Sequence, residues 1–179
     1  MLHAFKEARN AGPYDEFPVL LEEIDPQLHL SRNDRPQPFF LVCEHDTVLV
    51  QMSGESIVEF KEAPVLYHTT EPGDFVYIPA GTPHRIIPRT ESIHLRFKAR
   101  NAGMEGVAWY CPQCGEEVWR EEWDTAEDLP QEGYWRACQG FNTSKAKRTC
   151  RRCGAEHPGA DITGTHWPET AAAVRGGGA

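Results

Sequence analysis

The stretches "WYCPQCGEEV" and "TCRRCGAEHP" repeat one pattern, Cys-x-x-Cys-Gly, on Cys111, Cys114 and Gly115 and again on Cys150, Cys153 and Gly154. No other feature restricts the fold as much. In such a knuckle the backbone curls beneath a metal ion and turns its amides toward the sulfurs, and the glycine tolerates the positive φ this needs. Two knuckles complete a tetrahedron of four thiolates around zinc or iron. The competing reading, four buried or disulfide-bonded cysteines, does not account for a CxxCG pattern occurring twice. Cys43 and Cys138 have no partner at metal-ligand spacing and are expected to be free thiols, which places the protein in a reducing compartment, the cytoplasm.

At 179 residues and a formal net charge of −9, the chain is one medium domain, or one domain with a small appendage, and a poor partner for nucleic acid or an anionic membrane. The local basic run of Lys145, Lys147, Arg148, Arg151 and Arg152 surrounds the second knuckle, where it offsets the charge of a tetrathiolate centre. The first residues lack a signal-peptide apolar core, and no stretch approaches the ~20 apolar residues of a membrane span.

Three regions are expected: residues 1–106, a barrel with an N-terminal extension; 107–160, the metal module; and 161–179, a small, glycine-rich flexible tail. From Pro38 to Arg100, short apolar runs such as "TVLVQM", "DFVYIP" and "SIHLRF" are broken by turn residues. Runs of ~5 residues rich in Val, Ile, Phe and Tyr predict an antiparallel sandwich or barrel. Trp119 and Trp123 are expected to pin one face of an otherwise solvated acidic strand, and Tyr134, Trp135 and Phe141 to pack under the metal module.

Within the β region, "PGDFVYIPAGTPHRIIP" has the spacing Gly73-x5-Pro79-x-Gly81-x2-His84. This resembles the second motif of the cupin superfamily. The resemblance implies an all-β fold, a double-stranded β-helix (jelly-roll) barrel, with a histidine at the barrel mouth that is a ligand in metal-containing cupins. A cupin followed by two CxxCG knuckles is similar to the bacterial 3-hydroxyanthranilate 3,4-dioxygenase family. That resemblance runs from about Gly73 to Gly159. It implies catalytic Fe(II) or another divalent metal in the barrel, a rubredoxin-like iron or zinc site at the C-terminal side, a small aromatic carboxylate or amino acid as substrate, and a homodimer.

The chain departs from this family in the first motif, where a histidine and a glutamate would complete the iron triad with His84. Counting back from Gly54 through "CEHDTVLVQMSG", Thr47 stands in the glutamate's place and Leu41 in the histidine's. A standard ring-cleaving centre therefore does not carry over. Strand alternation groups Cys43, His45, Leu49 and Gln51 with Thr47 on the inward face and turns Asp46 outward. In "SIHLRFKAR", Ile93, Leu95 and Phe97 alternate with His94, Arg96 and Lys98. A simple barrel sends that polar row to solvent. The family resemblance sends it inward, with Lys98 near a position where relatives keep a substrate-contacting glutamate.

The candidate residues are thus His45, His84 and His94 for catalysis, Gln51, Arg96 and Lys98 for substrate, and Cys111, Cys114, Cys150, Cys153 and His84 for metal. His3, His29, His68 and His166 are expected at the surface, and His157 against the second knuckle. Two functions of different class follow. One is a divergent dioxygenase-like cupin enzyme with an altered or absent barrel metal, favoured by the retained His84. The other is a non-catalytic ligand-binding or structural cupin that keeps only the four-cysteine site.

Overall fold

The structure is a computed structural model and describes residues 3–176. A short helix α1 (Ala4–Ala8) precedes strands β1 (Phe17–Pro18), β2 (Gln27–Asn33), β3 (Phe40–Cys43), β4 (Thr47–Ser53), β5 (Ser56–Phe60), β6 (Tyr67–Thr70), β7 (Phe75–Ile78), β8 (His84–Pro88), β9 (Ser92–Lys98), β10 (Met104–Tyr110) and β11 (Glu117–Asp124). Helices α2 (Pro130–Thr143), α3 (Lys145–Arg148) and α4 (Trp167–Arg175) follow. The strands form two antiparallel sheets, one ordered β1-β2-β9-β4-β7 and the other β11-β10-β3-β8-β5-β6. This is the jelly-roll arrangement expected of a cupin. No helix among the described residues is long and apolar enough to cross a membrane.

Leu41, Leu49, Val58, Phe60, Val76, Ile78 and Ile86 fill the barrel core. The first sheet shows an unusual inversion. On β9, Ser92, His94, Arg96 and Lys98 are buried while Ile93, Leu95 and Phe97 are half-exposed. The pairing registers continue that outer face as two apolar rows, Leu28–Phe97–Val48–Tyr77 and Leu30–Leu95–Val50–Phe75, in which Leu30 and Val50 are buried and Phe75 and Tyr77 are exposed. Alternation on a strand forces this choice: with the polar row turned inward, the apolar row must turn out.

The metal module is continuous with the barrel. A division between residues 106 and 107 falls inside β10, which pairs with β3 on one side and β11 on the other. Helix α2 then seals that sheet. Tyr134, Ala137, Cys138 and Phe141 recur at helical spacing and are fully buried. Pro130 sits in the first turn, and the Glu132 carboxylate accepts from the Leu129 amide at 2.9 Å, an N-terminal signal present in "LPQEGYW". Phe141 stacks on Trp109 with centroids 4.1 Å apart and planes 8° from parallel. Gly133 is the point of closest approach, because a Cβ there would enter the Trp123 ring. Trp135, expected in this cluster, is instead partly exposed on the opposite helix face.

The segment expected to be a flexible tail differs most from expectation. Its residues 167–175 form α4, and Trp167 is fully buried against Phe39 and Tyr134. One large aromatic, together with Ala171, supplies the burial of this small-residue stretch. Residues 177–179 of the same segment lie outside the described residues.

Candidate functional site: a thiolate cluster and a charged barrel interior

The two knuckles are near-replicas. The Cys111 amide donates to the Glu116 carbonyl and the Gly115 amide to the Cys111 carbonyl, at 2.8 and 2.9 Å. The Cys150 amide to Ala155 and the Gly154 amide to Cys150 repeat those bonds at the same distances. Gly115 and Gly154 take φ of 74° and 75°, the left-handed region the motif was expected to need. All four sulfurs lie within 4.8 Å of one another, with Cys111–Cys153 at 3.5 Å and Cys114–Cys150 at 3.6 Å, and none is disulfide-bonded. The Cys114 amide, aimed at the Cys111 sulfur, helps hold that thiol down to about 6. Four converging soft donors with amides directed at them fit zinc or iron.

Around the cluster, Arg148 pairs with Glu156 at 2.7 Å and Arg152 with Glu116 at 3.3 Å, so part of the basic run also ties the knuckles' own carboxylates. His157 lies just past the second knuckle and packs edge-on against Phe141 at 5.2 Å.

The barrel interior is built from residues far apart in the chain. His84 opens β8 opposite Leu41, the pairing expected of the two ligand positions, but Leu41 offers no donor. Thr47, in the glutamate's place, lies beside Arg96, whose Nη1 is 3.4 Å from the threonine hydroxyl. His84 Nδ1 is 3.0 Å from the Thr82 carbonyl, which only accepts, so Nδ1 carries the proton and Nε2 the lone pair. That lone pair accepts from Arg96 Nη1 at 2.7 Å. Burial and the Arg96 charge push His84 down to about 3, so it is neutral.

A divalent cation does not fit here. The nitrogen that would bind it holds a guanidinium, and the two companion positions hold Leu41 and Thr47. Among the described residues, the four cysteines are the only grouping of three or more metal-ligating side chains.

Sequence reasoning missed the partner of these cations. Glu16, on the irregular segment that leads into β1, inserts its carboxylate into the barrel. Its Oε1 lies 2.8 Å from Arg96 Nε and 3.4 Å from Lys98 Nζ, and its Oε2 accepts from the Tyr134 hydroxyl at 2.7 Å. Lys98 also pairs with Glu105 at 2.7 Å. Burial alone would raise Glu16 and lower Lys98. Lys98 and Arg96 hold Glu16 well below the usual carboxylate range, and Glu105 and Glu16 hold Lys98 above its ordinary value. The interior therefore balances two cations, Arg96 and Lys98, with two anions, Glu16 and Glu105.

The remaining candidates divide. His94 is buried in the same row, its Nδ1 accepting from the Asn33 amide at 2.9 Å, and burial pushes it down to about 3. Gln51 is buried too, but its side chain is spent locally: its amide donates to the Ser53 and Gly54 carbonyls and its oxygen accepts from Thr70. His45 is corrected. It is exposed, because residues 44–46 leave β3 as a bend before β4 begins and strand alternation does not run through them. Asp46 in that bend accepts from the Tyr77 hydroxyl and the Ala80 amide, while Cys43, Thr47 and Leu49 do face inward. His29, expected at the surface, pairs across from Arg96, with its Nδ1 buried and unpartnered; burial and Lys98 push it down to about 3.

No protein-family model matches the chain. Over 135 residues it is 31% identical to a 3-hydroxyanthranilate 3,4-dioxygenase from Jannaschia sp., covering 71% of this chain and 67% of that protein. It is 28% identical over 119 residues to the enzyme of the same name from Bacillus cereus, covering 64% of this chain and 65% of that one. The chain thus spans about two thirds of these relatives. Among solved structures it is similar to the hydroquinone 1,2-dioxygenase from Sphingomonas sp. TTNP3, with a TM-score of 0.48 at 15% identity over 54% of this chain and 73% of that one.

Proposed function

Because the chain belongs to the 3-hydroxyanthranilate 3,4-dioxygenase family, we propose that it is a divergent member in which the barrel no longer holds a ring-opening metal and the four-cysteine cluster is the metal centre. One observation carries this reading: Arg96 Nη1 occupies the free nitrogen of His84 at 2.7 Å. Cysteines 111, 114, 150 and 153 would hold iron or zinc and contribute stability rather than turnover, since a metal bound only by the folded state stabilises it. The barrel is then a structural core with an ion-pair interior. A reducing compartment such as the cytoplasm suits thiols kept free for metal. The apolar outer face of the β2-β9-β4-β7 sheet suits a homodimer, which sedimentation would test.

The experiment is elemental analysis together with oxygen uptake on 3-hydroxyanthranilate after Fe(II) is added. We expect one metal per chain and no ring opening. Two metals per chain, or turnover of about 1–10³ per second as in ordinary enzymes, would overturn the proposal.

A second reading is favoured by the inward cations. Arg96 and Lys98 beside the neutral His84 and His94 would suit a small aromatic carboxylate or amino acid in an opened barrel, with either imidazole able to move a proton without a metal. His45 takes no part in it. Metal-independent conversion of an aminobenzoate, lost in His84→Ala but kept in Cys150→Ser, would support this reading.

A further inference from the structure

The segment 11–17, "AGPYDEF", is pinned from both sides. On the barrel side the Tyr14 amide donates to the Arg32 carbonyl at 2.8 Å and Glu16 reaches Arg96 and Lys98. From the C-terminal side, Trp167 Nε1 donates to the Tyr14 carbonyl at 2.8 Å, the Gln131 amide to the Glu16 carbonyl at 2.5 Å, and the His166 amide to the Asp15 carboxylate at 2.8 Å. Tyr14 and Glu16 both sit in the left-handed region, with φ of 54° and 46°, which side chains rarely adopt. Such backbone persists only where the surroundings over-determine it.

What this strained segment inserts has a definite chemistry. Glu16 supplies a carboxylate. Tyr14, two residues earlier, supplies a phenol ring that lies against Phe39 and Tyr134, with centroids 5.6 and 5.9 Å away. The fit is incomplete. Glu16 Oε1 lies close to Arg96 Nε but off the direction of its N–H, and Arg96 Nη2, His94 Nε2 and the Tyr14 hydroxyl are buried without partners. Arg96 and His94 are themselves 2% and 1% exposed. The Nε and Nη2 edge of a guanidinium is the edge that receives both oxygens of a planar carboxylate. Here that edge is half used.

We propose that segment 11–17 is an autoinhibitory strap, and that Tyr14 and Glu16 fill a binding site for an aromatic carboxylate on Arg96 and Lys98. Release of the strap from α2 and α4 opens the site. The freed carboxylate of Glu16 moves to solvent, and the ligand's carboxylate takes both donors of the Arg96 edge while its ring replaces that of Tyr14 against Phe39 and Tyr134. This rests on the second reading above. Its readout is binding, so it stands or falls separately from any turnover or metal count.

The test is calorimetric titration of the full chain with benzoate, and with acetate as the ringless control. Glu16→Gln should bind benzoate with a Kd at least about tenfold below that of the wild type, because the apparent affinity of a covered site is reduced by the fraction that is open. Trp167→Phe, which keeps an aromatic ring but loses the indole N–H and its bond to the Tyr14 carbonyl, should shift the Kd in the same direction by less. Glu16→Gln with Arg96→Gln should not bind. If Glu16→Gln does not fold, Tyr134→Phe and Trp167→Phe carry the test alone. Benzoate affinity unchanged from wild type in every folded strap variant would overturn the strap, and acetate matching benzoate would overturn the aromatic part of the site.

Discussion

The thiolate cluster and the barrel interior both gather ionisable side chains in the folded chain, yet they are assembled in opposite ways. Each knuckle is a local device: two cysteines, a glycine and a handful of backbone amides within one turn, repeated once. The barrel interior draws Glu16, His84, Arg96, Lys98, Glu105 and Tyr134 from a strap, three strands and a helix. The first would tolerate its charge by binding a cation from outside. The second supplies its own cations, and an arginine stands where this family's fold would otherwise invite a metal. Local chemistry repeats in a sequence, whereas a balanced buried network exists only once the chain has closed.

The sharpest way to separate the two regions is to remove one sulfur. Cys111→Ser or Cys150→Ser should release the metal and loosen the C-terminal module. Structural zinc sites contribute on the order of 10 kcal/mol in isolated knuckle-type peptides. Full metal content with an unchanged melting curve in both variants would refute the four-thiolate assignment.

Acid should strike the barrel. His29, His84 and His94 are held down to about 3, against an ordinary value near 6.5. Between those values they are neutral when folded and protonated when unfolded, so the unfolded state binds more protons and stability rises with pH. Their contribution is complete above about 6.5 and falls as pH drops, at roughly 4 kcal/mol per unit for three groups. Denaturant midpoints between pH 6 and 4 would show it, and His94→Asn should remove about a third of the slope. An unchanged slope in that variant would break the claim that the interior histidines are neutral.

Within the ion-pair network, Arg96→Ala should cost about 3–5 kcal/mol by taking from the buried Glu16 the nearer of its two cationic partners, Lys98 remaining at 3.4 Å. Adding Glu16→Gln should recover part of that, measured by chemical unfolding. Full additivity of the two changes would mean that they do not interact. A smaller loss, about 1.5–3 kcal/mol, is expected for Tyr134→Phe, which removes the hydroxyl that donates to the Glu16 carboxylate. At the far end, His45→Ala should change stability by no more than about 0.5 kcal/mol, as exposed positions do. A large loss would return His45 to the interior.

Part of the barrel site was legible before the structure. The Gly73–His84 spacing placed His84 inside, and alternation on β9 grouped His94, Arg96 and Lys98 on one face. What alternation could not reveal was which face turned inward, or that a strand ended before His45. Glu16 carried no signal at all: it lies in an irregular segment between turn residues, and its partners are distant in the chain. His29 was legible only by register, as the cross-strand neighbour of Arg96. Helix α2 did have a signal in its Pro130, Glu132 and 134-137-138-141 spacing.

By itself the sequence determined the two metal knuckles, the β-barrel class and the family to which the chain is similar. These reside in residue types at short, fixed spacings, where backbone geometry leaves few alternatives. The tertiary structure alone decided that His84 meets a guanidinium instead of a metal, that Glu16 closes the barrel, and that Trp167 anchors a stretch composed like a loose tail. The physical reason is desolvation. A buried arginine is tolerable only beside a carboxylate and a lone pair, and which ones reach it is settled by how the strap, the sheets and the C-terminal helices pack.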